Sequence, residues 1–498
     1  MGIARGVSFS TVAAPMADTT ERGDVACFIG LARPRAGGEV APELAAWLRR
    51  QGYWPARGQG ELAGVPVPVS SWEQFDQLFY WRRDFGQGIR GAGYLGAAVR
   101  SFFVEGGRQC VVVAEAEPLD VLATRDARDA LLERLIPATF APDNVGAHGL
   151  QHLRDLPVVS FVVLPDLVEL VCDPAPMSPE PPVSTGGPSA RFSPCAQGRV
   201  ERTAPSRLYG VSPPMAQAVA LERWQTTVRR VARWLARHRR DVQLLAALPL
   251  AEGRQEPLQG LPVRDWFAVP FAERKTSLAS AFVQIAYPWL HMVHGADLPS
   301  AMEPGEGALA GVLARNALTR GSFHSAAGLR LRSARGLSPP LSRDARESPL
   351  PAENTGAGRA LVDRFSLFGR DLDGLVLLSD VTASADPAYG QAKIARTLAL
   401  VLRAARRIGE TLVFETAAEG LWAEVRRRMS AVLGELRQAG ALAPGFSVRC
   451  DRSTMSQNDL DNGRVVAEVT LRPRAAIEHL QLRLRLTDVR PAGAGRVA

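Results

Sequence analysis

Few side chains in this sequence have the types and spacing that catalysis or metal binding requires. His291 and His294, in the segment HMVH, have the spacing of neighbours on one helix face and could bind a metal ion. The sequence fixes no third ligand near them. The pair therefore does not predict a metal site.

A second polar group is the segment GSFHSAAG, which places Ser322, His324 and Ser325 together. A hydrolase triad is defined by spatial geometry, and this segment lacks both the GxSxG pattern and a convincing neighbouring acid. The glycines of RGAGYLG, residues 90–96, do not follow an obvious strand, as a dinucleotide- or phosphate-binding loop would require, and are typical of a loop before a helix. We therefore expect no catalytic residues, no cofactor and no enzymatic activity.

Two predicted helices carry arginines that could contact a partner. In the helix of residues 224–240, WQTTVRRVARWLARHRR, the tryptophans lie on the apolar face, where core packing explains them better than stacking on nucleic-acid bases. In the last long helix, a run of three cations, Arg426, Arg427 and Arg428, spans most of one turn. Such a run is usually a solvated face, but it could also bind an acidic surface.

Both ends of the chain show the alternation of extended strands. The segment HLQLRLRLTD alternates Leu480, Leu482, Leu484 and Leu486 with polar residues. Near the other end, Val7 and Phe9 alternate with serines more weakly. We therefore expect an N-terminal arm at residues 1–25 and a C-terminal arm at residues 478–498.

The composition is that of a globular protein with several domains. Of the 498 residues, 46% are hydrophobic and 22% are charged. The net charge of +8 permits nucleic acid, an anionic membrane or an acidic protein as a partner, and does not distinguish them. Five scattered cysteines without a CxxC pair argue against a zinc site and a disulfide scaffold. Because no apolar run is long enough for a membrane span and the first residues make a poor signal peptide, we expect folding in the cytoplasm.

The order of apolar segments predicts strands that alternate with helices. Residues 26–172 contain the strands VACFIGLA, QCVVVAEA and VVSFVVL and the helices SWEQFDQLF and YLGAAVRSFF. Pro/Ser/Gly-rich stretches predict a linker or surface excursion at 173–214 and a loop at 336–360. We expect a middle α/β domain at 215–385 and a C-terminal α+β domain at 386–477, with two long helices and the strands TLVFE, GFSVRCD and RVVAEVTLRP. The predicted fold class is α/β and α+β, in several domains between two arms.

Four segments, in this order, resemble the contractile tail sheath proteins of bacteriophages and extracellular contractile injection systems. The first contains VACFIGLARPR, a Trp-Glu-x-Phe helix and the Phe-Phe-x-x-Gly-Gly end of YLGAAVRSFFVEGG. The second contains YPWL and the Ala-Gly-x-x-Ala-Arg pattern of EGALAGVLARNALTRG. The third is LVFETAAEGLWAEVRRRMSAVLGELRQAGAL, and the fourth runs from FSVRCD through a polar loop to the final arm. Two segments depart from the family pattern, ARGVSF in the N-terminal arm and LLSDVTASADP before the first long C-terminal helix.

The resemblance implies a structural subunit of a sheath that polymerises helically around an inner tube and contracts to drive the tube through a target envelope. Its partners would be further copies of the chain, the inner tube protein, and baseplate and cap proteins, with no nucleic acid and no membrane insertion. The family implies a subtilisin-like middle domain without an active site, and arms that add strands to neighbouring subunits. The inter-subunit contacts would then be Val7 and Phe9 in one arm and Leu480, Leu482, Leu484 and Leu486 in the other, and Arg426, Arg427 and Arg428 would contact the tube.

Two alternatives remain open at this point. A sheath-like paralogue that caps or initiates the cylinder would share the same segments. A basic nucleic-acid-binding protein would explain the net charge, and its signature would be salt-dependent retention on DNA. In the sheath interpretation, the particle assembles in the cytoplasm and leaves the cell by lysis.

Overall fold

The structure is a computed structural model of the chain. It describes residues 22–35, 40–53, 62–84, 90–115, 124–138, 141, 146–173, 208, 211–251, 281–347, 360–384, 387–412, 419–461 and 465–474.

The strands in these residues are, in chain order, β1 (Ala26–Leu31), β2 (Arg33–Pro34), β3 (Pro66–Val69), β4 (Phe79–Tyr80), β5 (Arg82–Asp84), β6 (Arg90–Ala92), β7 (Cys110–Glu115), β8 (Phe161–Val163), β9 (Met215–Ala216), β10 (Gln243–Ala247), β11 (Leu250–Ala251), β12 (Val283–Tyr287), β13 (Trp289–Met292), β14 (Ala334–Ser338), β15 (Ser366–Asp371), β16 (Gly374–Leu377), β17 (Ser447–Arg449) and β18 (Glu468–Thr470).

The α-helices are α1 (Pro42–Arg50), α2 (Trp72–Leu78), α3 (Tyr94–Glu105), α4 (Arg125–Leu135), α5 (Leu167–Val171), α6 (Ala218–His238), α7 (Glu306–Thr319), α8 (Arg343–Glu347), α9 (Pro387–Gly390), α10 (Ala392–Leu412), α11 (Glu419–Gln438) and α12 (Gln457–Asp461). Among the described residues, every helix is too short or too polar to cross a bilayer.

One mixed sheet of eight strands, in the order β16-β15-β12-β10-β8-β1-β7-β3, forms the centre of the molecule. The six inner strands are parallel, and the two edge strands are antiparallel to their neighbours. Alternate side chains enter two cores: Phe28 and Val112 pack on the face covered by α3 and α7, and Ile29 and Val113 on the face covered by α4, α5 and α6. Helices on both faces explain why these strands are almost continuously apolar.

This sheet joins two regions that the sequence analysis separated. Strand β8, in residues 26–172, pairs in parallel with β10, in residues 215–385. The stretch at 173–214 therefore does not mark a boundary between two sheets.

Helices α3 and α7 cross closely because glycines lie at the contact. A Cβ atom on Gly307 would lie 2.5 Å from the Ala98 Cα, and one on Gly311 would lie 2.5 Å from the Phe102 carbonyl oxygen. The Ala-Gly-x-x-Ala-Arg pattern thus supplies the small residues of this crossing, and its arginine, Arg315, donates to the Glu105 carbonyl at 2.8 Å.

The predicted helix boundaries near the N-terminal end are confirmed. Ser71 caps α2, since its hydroxyl accepts a hydrogen bond from the Gln74 N–H at 3.1 Å. Helix α3 ends at Gly106, whose φ of 120° favours glycine. The predicted strands VACFIGLA, QCVVVAEA and VVSFVVL correspond to β1, β7 and β8.

Three local predictions were wrong. The glycine segment 90–96 contains the short strand β6, which pairs with β5 before α3 begins. The expected loop 336–360 begins inside β14 and contains α8, because pairing with β13 overrides the local turn-rich composition. TLVFE begins as helix, since α10 continues through Leu412 and the Thr411 hydroxyl donates to the Ile408 carbonyl at 2.8 Å; residues 413–415 lie outside the described residues.

Candidate assembly surfaces

The C-terminal unit is built on the two long helices α10 and α11. Their apolar sides share a core that includes Leu400, Met429 and Leu433. Strands β17 and β18 pair antiparallel and turn Val448 and Val469 towards this core. The strands GFSVRCD and RVVAEVTLRP, predicted separately, thus form one small sheet.

This small sheet has polar residues on its other face. Ser447, Arg449, Glu468 and Thr470 are exposed. Beyond the pairing of β17 with β18, the only strand-like backbone hydrogen bonds that extend this sheet within the described residues join 441–443 to 472–474. A two-stranded sheet is marginal by itself and presents unpaired backbone groups on its outer edges.

The predicted arginine cluster lies on α11 and is held from within the same unit. Glu424 accepts hydrogen bonds from Arg427 at 2.6 Å and from Arg428 at 2.6 Å. These two guanidiniums lower the pKa of the Glu424 carboxyl to about 2. Arg426 donates to the Cys450 carbonyl at 3.3 Å, at the end of β17. The three arginines therefore form an ordered cationic surface next to the small sheet, and the Arg427 side chain is 70% exposed.

Two buried ion pairs fix helix α10 to the central sheet. The first joins Arg396 to Asp380, with Nη1–Oδ1 at 2.9 Å and Nη2–Oδ2 at 2.5 Å. Asp380 also accepts from the Ala326 N–H at 2.8 Å and from the Gln284 side chain at 3.0 Å. Burial would raise the pKa of the Asp380 carboxyl, but Arg396 and these donors together hold it below its usual range.

The second ion pair joins Arg403 to Asp241 and lies beside Arg22. Arg403 donates to the Asp241 carboxylate at 3.3 Å and to the Asp241 carbonyl at 2.7 Å, and also to the Arg22 carbonyl. Asp241 is at the same time paired with Arg239, with both contacts at 2.9 Å. Helix α10 is thus bonded to Arg22, which lies within the predicted N-terminal arm of residues 1–25. Because Asp24 and Val25 are also buried, this end of the predicted arm packs on its own subunit.

The sequence analysis missed these anchoring residues. The available signal was Lys393, Arg396 and Arg403, which recur at helical spacing within an otherwise apolar helix face. Asp241 and Asp380 gave no comparable signal, because their partners are distant in the chain.

The predicted arm residues, Val7 and Phe9 at one end and Leu480, Leu482, Leu484 and Leu486 at the other, lie outside the described residues. Their assignment stays a prediction.

The helical interpretation of His291 and His294 was wrong. His291 and Met292 lie in strand β13 and pair with β14, and the chain turns at Val293 and His294. Cross-strand pairing, which the local spacing does not reveal, decides this segment. Within the described residues, no group of three or more potential ligands is arranged to hold a metal ion.

A buried serine, histidine and glutamate lie together in the body of the molecule. The Ser101 hydroxyl contacts His294 Nε2 at 2.8 Å and donates to the Glu303 carboxylate. Desolvation raises the pKa of Glu303 to about 8 and lowers that of His294 to about 4. A hydrolase triad places the acid on the histidine, whereas here the carboxylate lies on the serine. The arrangement is that of a hydrogen-bonded core group.

The segment of Ser322, His324 and Ser325 serves packing. The Ser322 and His324 carbonyls accept hydrogen bonds from Arg396 at 2.8 and 3.2 Å. The Ser325 hydroxyl accepts from the Ala327 N–H at 3.2 Å. This loop contributes backbone acceptors to the anchoring of α10.

Residues 384–487 match the family model of the phage tail sheath C-terminal domain. This part of the chain, called the sheath domain below, is similar to the C-terminal domain of that family. It contains α10, α11 and the small sheet, and so includes both the predicted cationic surface and the predicted C-terminal strand.

Solved structures show that the fold of the remaining chain agrees with this assignment. A chain of the anti-feeding prophage (AFP) helical sheath in the contracted state has a TM-score of 0.54 at 17% identity, with 97% of this chain and 99% of that chain covered. A chain of the PVC sheath complex, from an extracellular contractile injection system in the contracted state, has a TM-score of 0.53 at 16% identity, with 98% and 99% covered. A chain in the AFP baseplate structure has a TM-score of 0.55 at 16% identity, with 98% and 100% covered.

No curated protein matches the sequence. The resemblance to contractile tail sheath proteins and the predicted mixture of helices and strands are nevertheless confirmed, because the domain match and the fold agree. The two arms and the division into domains stay predictions.

Proposed function

We propose that this protein is the structural subunit of a contractile sheath, which assembles helically around an inner tube and shortens to drive the tube through a target envelope. The observation that carries the proposal is a tail sheath C-terminal domain in a chain whose fold matches AFP and PVC sheath chains over nearly its whole length. Identical subunits joined by a contact that does not close form a helix. Contraction would then proceed by rigid-body rotation of subunits out of a trapped extended state.

In this proposal the arms connect neighbouring subunits by strand addition. The outer edges of β17 and β18 are the proposed acceptors, because backbone groups at the edges of a two-stranded sheet need partners. An arm that alternates Leu480, Leu482, Leu484 and Leu486 with polar residues would extend such a sheet and place its apolar side on a helical core. The anchored Arg22, near the inner end of the predicted N-terminal arm, would set the direction from which the rest of that arm leaves its own subunit.

The cationic surface of Arg426, Arg427 and Arg428 is the proposed contact with the inner tube. Its support is order and exposure: the side chains are held by Glu424 and Cys450 rather than left to move freely. Carboxylates on an acidic tube surface would compete with Glu424 for the N–H donors of these arginines, since a guanidinium binds a carboxylate through two parallel hydrogen bonds.

The remaining partners would be baseplate and cap proteins. The mechanism uses assembly and conformational change, so it requires no cofactor, nucleic acid or membrane insertion. The subunit would assemble in the cytoplasm and leave the cell as part of a particle released by lysis.

The test is deletion of residues 478–498. We expect a folded subunit with an unchanged circular dichroism spectrum that forms no cylinders in negative-stain micrographs. Normal cylinders from this truncation would contradict strand addition by the arm, and an end cap in place of a cylinder from the full chain would instead support the capping paralogue.

A matched pair of variants tests whether assembly requires the apolar side chains of the arm or only its length. Changing Leu482 and Leu484 to Ser should abolish cylinders, whereas changing Gln481 and Arg483 to Ser should leave them, because only the leucines would be buried.

A further inference from the structure

A cleft of about 290 Å³ lies beside α2 and α3, far along the chain from the sheath domain. Its walls include Arg35, Trp72, Tyr80, Arg82 and Arg100. Apart from the Asp76 carboxylate, it is lined by aromatic rings and cations, the side chains that dominate binding energy at protein interfaces.

Each arginine of the cleft lies over an aromatic ring. Arg35 is 5.9 Å from the centre of the Tyr80 ring, and Arg82 is 5.6 Å from that of Trp81. Arg100 is 5.4 Å from the centre of the Trp72 ring. These contacts hold the guanidinium planes in place, so little side-chain entropy remains to be lost on binding.

The carboxylates near the cleft serve only two of the three arginines. Asp76 accepts from the Trp81 indole at 2.7 Å and pairs with Arg35 at 3.4 Å. Asp297 pairs with Arg82 at 3.3 Å. Among the described residues, no carboxylate forms a direct ion pair with Arg100, and its charge acts on the buried Glu303 only at longer range. A half-buried guanidinium therefore faces the cleft with its bidentate donor edge available.

An apolar strip continues from Arg100 along the same side of α3. Phe103 is half-buried, and Val104 is 37% exposed. These residues follow Arg100 at helical spacing, so cleft and strip form one surface.

We propose that this surface, the arginine–aromatic cleft together with Phe103 and Val104, binds an acidic protein segment in which carboxylates alternate with apolar side chains. A carboxylate of the segment binds Arg100 in the cleft, and neighbouring apolar side chains cover Phe103 and Val104. The apolar strip favours a protein over nucleic acid, whose backbone would place charged phosphates there. The proposal does not depend on sheath assembly, since the surface lies within one subunit.

The test uses the full-length chain and a fluorescein-labelled peptide amide of alternating Glu with Leu and Phe, followed by fluorescence anisotropy. We expect saturable binding that the Arg100→Gln variant weakens about tenfold or more, because a charged hydrogen bond is lost. Arg100→Lys should fall between the two, since it keeps the charge without the planar fork. Val104→Asp should also weaken binding, by repelling the carboxylates of the peptide.

The matched control is Arg343→Gln, which removes an exposed arginine of α8 paired only with Glu347 in its own helix; it should bind the peptide as the unaltered chain does. No binding of the acidic peptide, or equal binding by Arg100→Gln, would overturn the proposal. Equal binding of a peptide with Lys in place of Glu would show that only apolar contacts hold the peptide, and would contradict binding of a carboxylate by Arg100. Displacement of the peptide by a short double-stranded DNA at lower concentration would identify a nucleic-acid site instead.

Discussion

Two of the sheets in this molecule, the eight-stranded sheet and the two-stranded sheet of β17 and β18, treat their edges in opposite ways. In the eight-stranded sheet, the edge strand β3 contains Pro66 and Pro68, which remove backbone donors. The other edge, β16, is covered by the chain at 328–331, where the Leu377 N–H donates to the Leu329 carbonyl at 3.0 Å. The two-stranded sheet of the sheath domain has no such cover among the described residues.

The difference separates a closed body from a unit suited to assembly. The closed sheet cannot add a strand without breaking existing bonds, whereas the small sheet gains stability from each strand added. A subunit whose main sheet is closed at both edges can join neighbours through the small sheet without aggregating through the main one.

The largest effect on stability is expected where the sheath domain contacts the central sheet and its helices, which together form the body of the molecule. Asp380→Asn would leave Arg396 buried without its charge partner and should lower the free energy of unfolding by about 3–5 kcal/mol. Urea denaturation of both chains would measure it. Arg343→Gln, at an exposed pair, should change it by less than about 0.5 kcal/mol. A loss at Asp380 as small as this control's would mean that body and sheath domain are not joined through the ion pair.

A pair of glycine variants compares packing in the two regions. Gly307→Ala forces a Cβ against Ala98 at the α3–α7 crossing and should destabilise the protein by about 1–3 kcal/mol. Gly434→Ala, in α11, meets nothing within 4 Å and should stabilise it by about 0.5–1 kcal/mol through helix propensity. Thermal unfolding would show the opposite signs, and equal signs would contradict the contrast in packing.

Glu303 in the body and Glu424 in α11 extend the comparison to the pH dependence of stability. The pKa of Glu303 is raised to about 8 by burial, so the folded protein retains a proton that the unfolded chain releases near its usual value of 4.5. Stability from this group should therefore fall as pH rises through the window between these values. The pKa of His294 is lowered to about 4, so its contribution to stability should rise with pH at the acidic end of that window. The pKa of the buried Glu306 is raised, so its contribution should fall as pH rises, as that of Glu303 does.

Glu303→Gln should accordingly flatten the decline in stability between about pH 6 and about pH 8, as measured by melting temperature. Glu424→Gln, on the exposed face of α11, should leave that decline unchanged, since the pKa of Glu424 lies far below this range. An unchanged profile for Glu303→Gln would mean that Glu303 ionises freely in the folded protein.

The smallest effect on stability is expected at the cationic surface. Reversing Arg426 and Arg427 to Glu should change the free energy of unfolding by less than about 1 kcal/mol, because these side chains are exposed. Co-sedimentation with inner tube protein should nevertheless weaken more than sheath self-assembly does. Unchanged co-sedimentation would identify the arginines as ordinary surface.

Much of the architecture could be predicted from local pattern. Ser71 before an amphipathic run, Gly106 after one, and the apolar stretch from Cys110 to Glu115 each specify an element through interactions within a few residues. The predictions failed where tertiary contacts override propensity. Thr411 and Leu412 favour a strand locally but continue α10, and His291 has helical spacing to His294 but pairs with Gly336 across two strands.

The sequence by itself determined the type and order of most elements, the resemblance of its segments to sheath proteins, and the alternating pattern from Leu480 to Leu486, because periodicity is a local property. Only the tertiary structure decided which strands became neighbours, which edges stayed open and which charges met. Arg403 and Asp241 are 162 residues apart, yet they bind the sheath domain to the body. Such a pair depends on the packing of both elements against the same sheet, which spacing along one chain does not reveal.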